Sequence, residues 1–217
     1  MMCVQNKEMF KGILLWSGMV VFLFLTGCTG ASVDHYNRGC RYYAKGQYDL
    51  AISDFTKAIE INPAYAEAYN NRGLAYLSKR QYDQAISDFT KAIEIDPRYA
   101  YAYLNRGLVF RVKGQYDRSI SDYNKAIQIN LGYAGAYSNR GNVYLAKGEY
   151  DRAISDYTKA IEIDSGYAEA YNNRALAYYS KRDYDKAWDD VHKAQSLGQQ
   201  IYPGFLNALR KASGREK

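Results

Sequence analysis

Five asparagines, Asn37, Asn71, Asn105, Asn139 and Asn173, recur at one fixed interval along the chain. A carboxamide carries both a donor and an acceptor, so it can pair with both halves of a peptide group. Asn inside a helix costs about half a kcal/mol against Ala, and five such penalties at one register need a common cause. Side chains suited to covalent or acid–base chemistry are scarcer. His35 and His192 stand far apart in the chain, and neither has Cys, Asp or Glu at ligand spacing beyond what other repeats also carry, so no metal is expected. The sequence contains no G-x-x-x-x-G-K-[ST], H-E-x-x-H or G-x-S-x-G pattern, which leaves catalysis unsupported and no cofactor implied. Three cysteines, Cys3, Cys28 and Cys40, are too few for a disulfide framework. Cys40 reads as a small buried thiol, whereas Cys28 closes an apolar run.

Two sets of charges share the period. Lys45, Lys79, Lys113, Lys147 and Lys181 are each followed, across the turn, by Asp49, Asp83, Asp117, Asp151 and Asp185. The lysines end one helix and the aspartates begin the next, each complementing a helix dipole for about 0.3–1 kcal/mol. Arg38, Arg72, Arg106, Arg140 and Arg174 are matched by Asp54, Asp88, Asp122, Asp156 and Asp190, a spacing that predicts ion pairs between the two helices of a unit. These pairings occupy much of the charge on the chain, whose formal net value is +6. With no cluster of basic residues and stacking aromatics left on one stripe, nucleic acid is not an expected partner.

The elements that position these residues follow from the repeat. Most of the 217-residue chain falls into five equal units: 32–65, 66–99, 100–133, 134–167 and 168–201. A fixed period of this length means stacked supersecondary units rather than one globular core. Each unit reads as two helices. In the second, Tyr69, Gly73 and Tyr76 share one helical face and Ala85, Phe89 and Ala92 another, with Lys79-Arg80-Gln81 between them. Small residues recur at Gly39, Gly73, Gly107, Gly141 and Ala175, then at Ala51, Ala85, Ser119, Ala153 and Ala187, and allow close approach of the helices. Residues 202–217 read as a capping helix and basic tail, with Phe205, Leu206 and Leu209 toward the last unit.

Ahead of the repeats, Lys7 and Lys11 precede an uncharged, mostly apolar run from Gly12 to Leu25. At ~1.5 Å per residue it spans about 21 Å, short of the ~30 Å hydrocarbon core, so a secretion signal over 1–27 is expected. Leu25-Thr26-Gly27-Cys28 resembles the bacterial lipobox. That resemblance implies a diacylglyceryl group on Cys28, cleavage in front of it, and residues 28–31 as lipid-anchored cysteine and short tether. Thr29 stands where an aspartate would retain such proteins in the inner membrane, so the implied location is the bacterial envelope, at the outer membrane facing the periplasm. The competing reading is an uncleaved signal anchor or tilted membrane helix.

The repeats resemble the tetratricopeptide repeat, which has a small residue at unit position 8, Tyr at 11, Ala at 20, an aromatic at 24, Ala at 27 and Pro at 32. The resemblance implies an all-α, right-handed α-solenoid. Position 32 is Pro63 and Pro97 in two units but Leu131 and Ser165 in the next two, where the second helix is expected to run on or fray. The last unit has Val191 in place of the aromatic at 24. The asparagines occupy position 6, roughly 200° around the helix from the packed position 4, a stripe that lines the concave face in this family. With first helices about 9–10 Å apart, one asparagine would meet about every third residue of an extended strand rising ~3.3 Å per residue. This resembles the asparagine ladder that holds peptides by their backbone in some family members; a ladder bonded only to itself is the alternative. The lysines of the family's carboxylate clamp are absent from positions 2 and 5, so an extended neutral or apolar segment is the expected ligand.

The sequence thus points to a non-catalytic, lipid-anchored scaffold that binds a protein partner through an extended peptide. The alternative is an assembly factor or adaptor of one envelope machine, such as a pilus pilotin, an outer-membrane protein assembly subunit or a cell-wall hydrolase adaptor.

Overall fold

The second helix of each unit shows why these residues form these elements. In Tyr48–Ile61 the buried residues are Ala51, Asp54, Phe55, Ala58 and Ile59, one stripe at the helical period. The computed structural model describes residues 19–215, with side chains described from residue 30. Among the described residues there are eleven helices and no strand. They are α1 Met19–Ala44, α2 Tyr48–Ile61, α3 Ala66–Ser78, α4 Tyr82–Ile95, α5 Ala100–Val112, α6 Tyr116–Ile129, α7 Ala134–Ala146, α8 Tyr150–Ile163, α9 Ala168–Ser180, α10 Tyr184–Ser196 and α11 Pro203–Ser213. The chain is all-α, built of consecutive helix–turn–helix pairs, and divides into two compact units, one ending at Ala102 and the other beginning at Tyr103.

In the first compact unit α1 packs on α2, α2 on α3 and α3 on α4. The contact within each pair is a glycine against a ring: a Cβ on Gly39 would sit 2.7 Å from Phe55, and one on Gly73 2.7 Å from Phe89. Both rings are fully buried. The helices are therefore as close as the absence of a side chain permits.

In the second compact unit the same contact recurs, with a Cβ on Gly107 falling 2.8 Å from Tyr123 and one on Gly141 2.8 Å from Tyr157. The fifth repeat explains its own departure. Its small residue is Ala175, which already carries a Cβ, and its facing residue is Val191, in the same buried cluster. A ring would not fit there, so valine follows from alanine. Helix α11 packs on α10 through buried Phe205 and Leu209, and Trp188 Nε1 donates to Ser213 Oγ at 3.1 Å. Leu209 stands one repeat length after Ala175. It occupies the first-helix position that is small in the five repeats, and here the leucine is fully buried in the cluster that holds Val191 and Ala194.

The expected run-on at Leu131 and Ser165 does not occur. α6 ends at Ile129 and α8 at Ile163, in register with Ile61 and Ile95. The stop lies one residue earlier than the proline: Asn62, Asp96, Asn130 and Asp164 each accept a backbone N–H two residues on through the side-chain oxygen, an Asx turn that draws the chain out of the helix. The leader through residue 18 lies outside the described residues, as do the side chains of Leu25-Thr26-Gly27-Cys28. The backbone of residues 28–31, expected as a tether, is helical and continues α1. No described helix is long and apolar enough to cross a membrane.

Candidate functional site

A frame of ion pairs orients the first helices. Each arginine of the periodic set holds its aspartate in a fork, Nε to one carboxylate oxygen and Nη2 to the other, as in Arg72–Asp88 at 2.8 and 2.8 Å and Arg174–Asp190 at 2.8 and 2.8 Å. The remaining nitrogen reaches back to the preceding repeat: Arg72 Nη1 donates to Thr56 Oγ1 and Arg174 Nη1 to Thr158 Oγ1, both at 2.9 Å. One side chain thereby ties a first helix to two second helices. Asp54 is buried beneath Arg38 and His35, and the Arg38 hydrogen bonds, with His35 adding to them, hold its carboxyl below the ordinary value despite its burial. The periodic lysines do more than face a dipole. Lys79 donates to Asp49, Lys147 to Asp117 and Lys181 to Asp151, each in the preceding repeat, and Arg215 closes the series on Asp185.

Within this frame the asparagines are not equivalent. Asn71 donates through Nδ2 to Tyr36 Oη at 2.8 Å and to Cys40 Sγ at 3.7 Å, and its Oδ1 accepts from Asn70 at 3.2 Å. Asn173 donates to Asn142 Oδ1 at 3.0 Å and accepts from Asn172 at 3.2 Å. The same Asn142 oxygen accepts from Tyr157 Oη at 2.7 Å. Asn105 is half-buried and is also engaged. Asn139 is half-buried and makes no side-chain hydrogen bond among the described residues, and Asn37 is exposed. The ladder is therefore not a chain of position-6 asparagines bonded to one another. Where the bonds of Asn71 and Asn173 cross between repeats, their partners are positions 5 and 9 of the preceding first helix, a reach from one coil to the next that the sequence does not give. Asn207, one repeat length after Asn173, adds an exposed sixth member on α11, where it accepts from Arg210 Nη1. Extending the period past residue 201 would have found it. Among the described residues no three His, Cys, Asp or Glu side chains are grouped to hold a metal ion.

Sequence profiles of the tetratricopeptide repeat match residues 66–99, 89–121 and 168–197, and a profile of the TPR repeat matches 39–79, 107–148 and 141–181. The chain belongs to the tetratricopeptide repeat family. No curated protein sequence matches it. Among solved structures, MamA is 31% identical, covering 74% of this chain and 94% of that one, with a TM-score of 0.67. PilF of Pseudomonas aeruginosa is 21% identical over 87% of this chain and 86% of that one, with a TM-score of 0.79. YrrB, described as a TPR protein with an unusual peptide-binding site, is 22% identical over 83% and 93%, with a TM-score of 0.62. The last two likenesses concern the fold alone.

Proposed function

We propose that this protein is a non-catalytic scaffold, held at the bacterial envelope by a lipid on Cys28, that binds an extended segment of a protein partner along the asparagine stripe of its first helices. The observation that carries the reading is Asn139. It is a half-buried carboxamide, at a register where every first helix spends helix propensity on asparagine, and among the described residues no neighbour hydrogen-bonds to its side chain. Asn173 spends one N–H and one lone pair on its neighbours and retains one N–H and one lone pair for a ligand. Those internal bonds fix the carboxamide in advance, which lowers the ordering cost of binding. The matched families are interaction repeats, and no catalytic family is among them. The machine-specific alternative has no residue of this chain behind it.

The test is photocrosslinking in cells from a photoreactive side chain at position 108 or 142, beside Asn139 on the stripe, against one at the outward-facing position 125. Capture of one partner segment from the stripe positions and none from the control is the expected result. Equal capture from all three would remove the stripe from the binding site.

A further inference from the structure

Helix α1 exposes a face that the first helices of the later repeats bury. At unit positions 3 and 10 those repeats carry Ala68, Ala102, Ala136 and Ala170, then Ala75, Val109, Val143 and Ala177, all fully buried. Ala68 packs with Ala58, and Ala75 with Phe55, both on the second helix of the preceding repeat. The same stripe holds the arginine that reaches Thr56 or Thr158 and the lysine that reaches Asp49, Asp117 or Asp151. In α1 these positions are Asp34, Arg38, Arg41 and Lys45, all exposed, and no second helix stands before α1 among the described residues. The Arg38 side chain is 45% exposed, against 16% for Arg72 in the same fork. Neither the Arg41 nor the Lys45 side chain has an ionic or hydrogen-bond partner among the described residues.

Two features decide what covers this face. A further helix does not fit: close packing uses the small apolar side chains that positions 3 and 10 hold elsewhere, whereas here they are a carboxylate and a guanidinium, costly to bury unpaired. The second feature is Cys28, which lies on the same helix, continuous from Met19 to Ala44. Arg41 stands about 20 Å along the axis from Cys28. With α1 upright on an anchored Cys28, Arg41 and Lys45 would lie well beyond the ~8 Å over which charges act at physiological salt. With α1 lying along the bilayer, both reach the headgroups. The one unpaired carboxylate of the stripe, Asp34, is at the end nearer Cys28, and Asp54 is taken up by Arg38 and His35, so the far end of the stripe is cationic.

We propose that this face of α1 rests on anionic lipid headgroups, so that α1 lies along the bilayer with the acyl chain of Cys28 at one end and Arg41 and Lys45 at the other. Lipid phosphates are mobile and pair with a guanidinium or an ammonium without close packing of a partner helix. Two such cations at an anionic surface shift the balance between the lying and upright arrangements by roughly tenfold. The inference rests on the envelope-anchored reading and adds to it the side of the first repeat that meets the membrane.

The test places the full chain, as extracted from membranes, in phosphatidylcholine vesicles that carry a nitroxide on the headgroup. A fluorescent residue stands at exposed position 44, next to Lys45, or at the equivalent exposed position 78 of the second repeat. Adding phosphatidylglycerol should raise quenching at position 44 several-fold and at position 78 much less. High salt should remove the rise, and so should Arg41→Glu combined with Lys45→Glu. Neither side chain has a partner to lose, so this variant should melt like the wild type; if it does not, Arg41→Gln with Lys45→Gln takes its place. Equal quenching at position 44 with and without phosphatidylglycerol, or a rise that survives the charge change, would overturn the proposal. So would equal rises at positions 44 and 78, which would mean that another face approaches the membrane. The two readings fail separately: the mass of the extracted chain shows whether Cys28 is acylated, and a chain that keeps its leader instead still sits on the vesicle, where quenching at position 44 reports the face all the same.

Discussion

Asp54 is the residue where charge and stability can be read together. Its hydrogen bonds to Arg38, helped by His35, hold the folded-state carboxyl below its ordinary value of 3.8. A carboxyl with a depressed folded-state pKa contributes stability that is complete above its unfolded value and is lost as pH falls through the folded one. The gap in melting temperature between the wild type and Asp54→Asn should therefore stay constant from about pH 7 to about 5 and close below about 4. A gap that persists undiminished to about pH 3 would mean the pair does not depend on the ionised carboxylate. At this scale the sequence was generous. The arginine–aspartate spacing is the same in all five units, and every pair forms. What it withheld were the lysine–aspartate ties between neighbouring repeats and the engagement of Asn71 and Asn173. Both depend on how one repeat is set against the next, which local periodicity does not encode.

Helix pairs are governed by the contact between position 8 and position 24. Gly107→Ala gains helix propensity of up to about 1 kcal/mol but drives a Cβ to 2.8 Å from the buried Tyr123 ring, an overpacking cost of about 1–3 kcal/mol. The variant should melt lower. Adding Tyr123→Val recreates the Ala175 and Val191 pairing of the fifth repeat, and the double variant should melt higher than the sum of the two single losses predicts; strict additivity would contradict the account. Turn geometry gives a second check. Position 15 takes positive φ in every described repeat. It is glycine at Gly46, Gly114 and Gly148, but arginine at Arg80, with φ 59°, and at Arg182, with φ 63°. A non-glycine residue in that region is held at a cost of about 1 kcal/mol, so Arg80→Gly should raise the melting temperature by a few degrees. A lowered one would show that the Arg80 side chain does more than its exposure suggests. The two-helix unit and its small-residue faces were legible from period alone. The helix stop was not: the eye goes to the missing prolines at Leu131 and Ser165, whereas the Asx turns at Asn130 and Asp164 sit beside them, as at the other two junctions.

At the scale of the molecule, sequence carries the number of repeats and the capping helix, because both are matters of counting residues. It carries the asparagine stripe less well, since Asn139 is distinguished from its counterparts only by which neighbours fail to reach it. The anchor is testable apart from the fold: Cys28→Ser should abolish incorporation of a fatty-acid label and leave the leader attached, and a wild-type protein that keeps Met1 and takes up no label would refute lipidation. The central claim, that the stripe binds peptide backbone, is tested most directly by measuring melting temperature and affinity for the crosslinked partner segment on one variant, Asn139→Ala. That residue has no internal hydrogen bond to lose and alanine is the better helix former, so the melting temperature should hold or rise. Loss of one or two ligand hydrogen bonds, about 0.5–1.5 kcal/mol, should weaken binding by roughly twofold to tenfold. Unchanged affinity in a variant that melts normally would contradict the account.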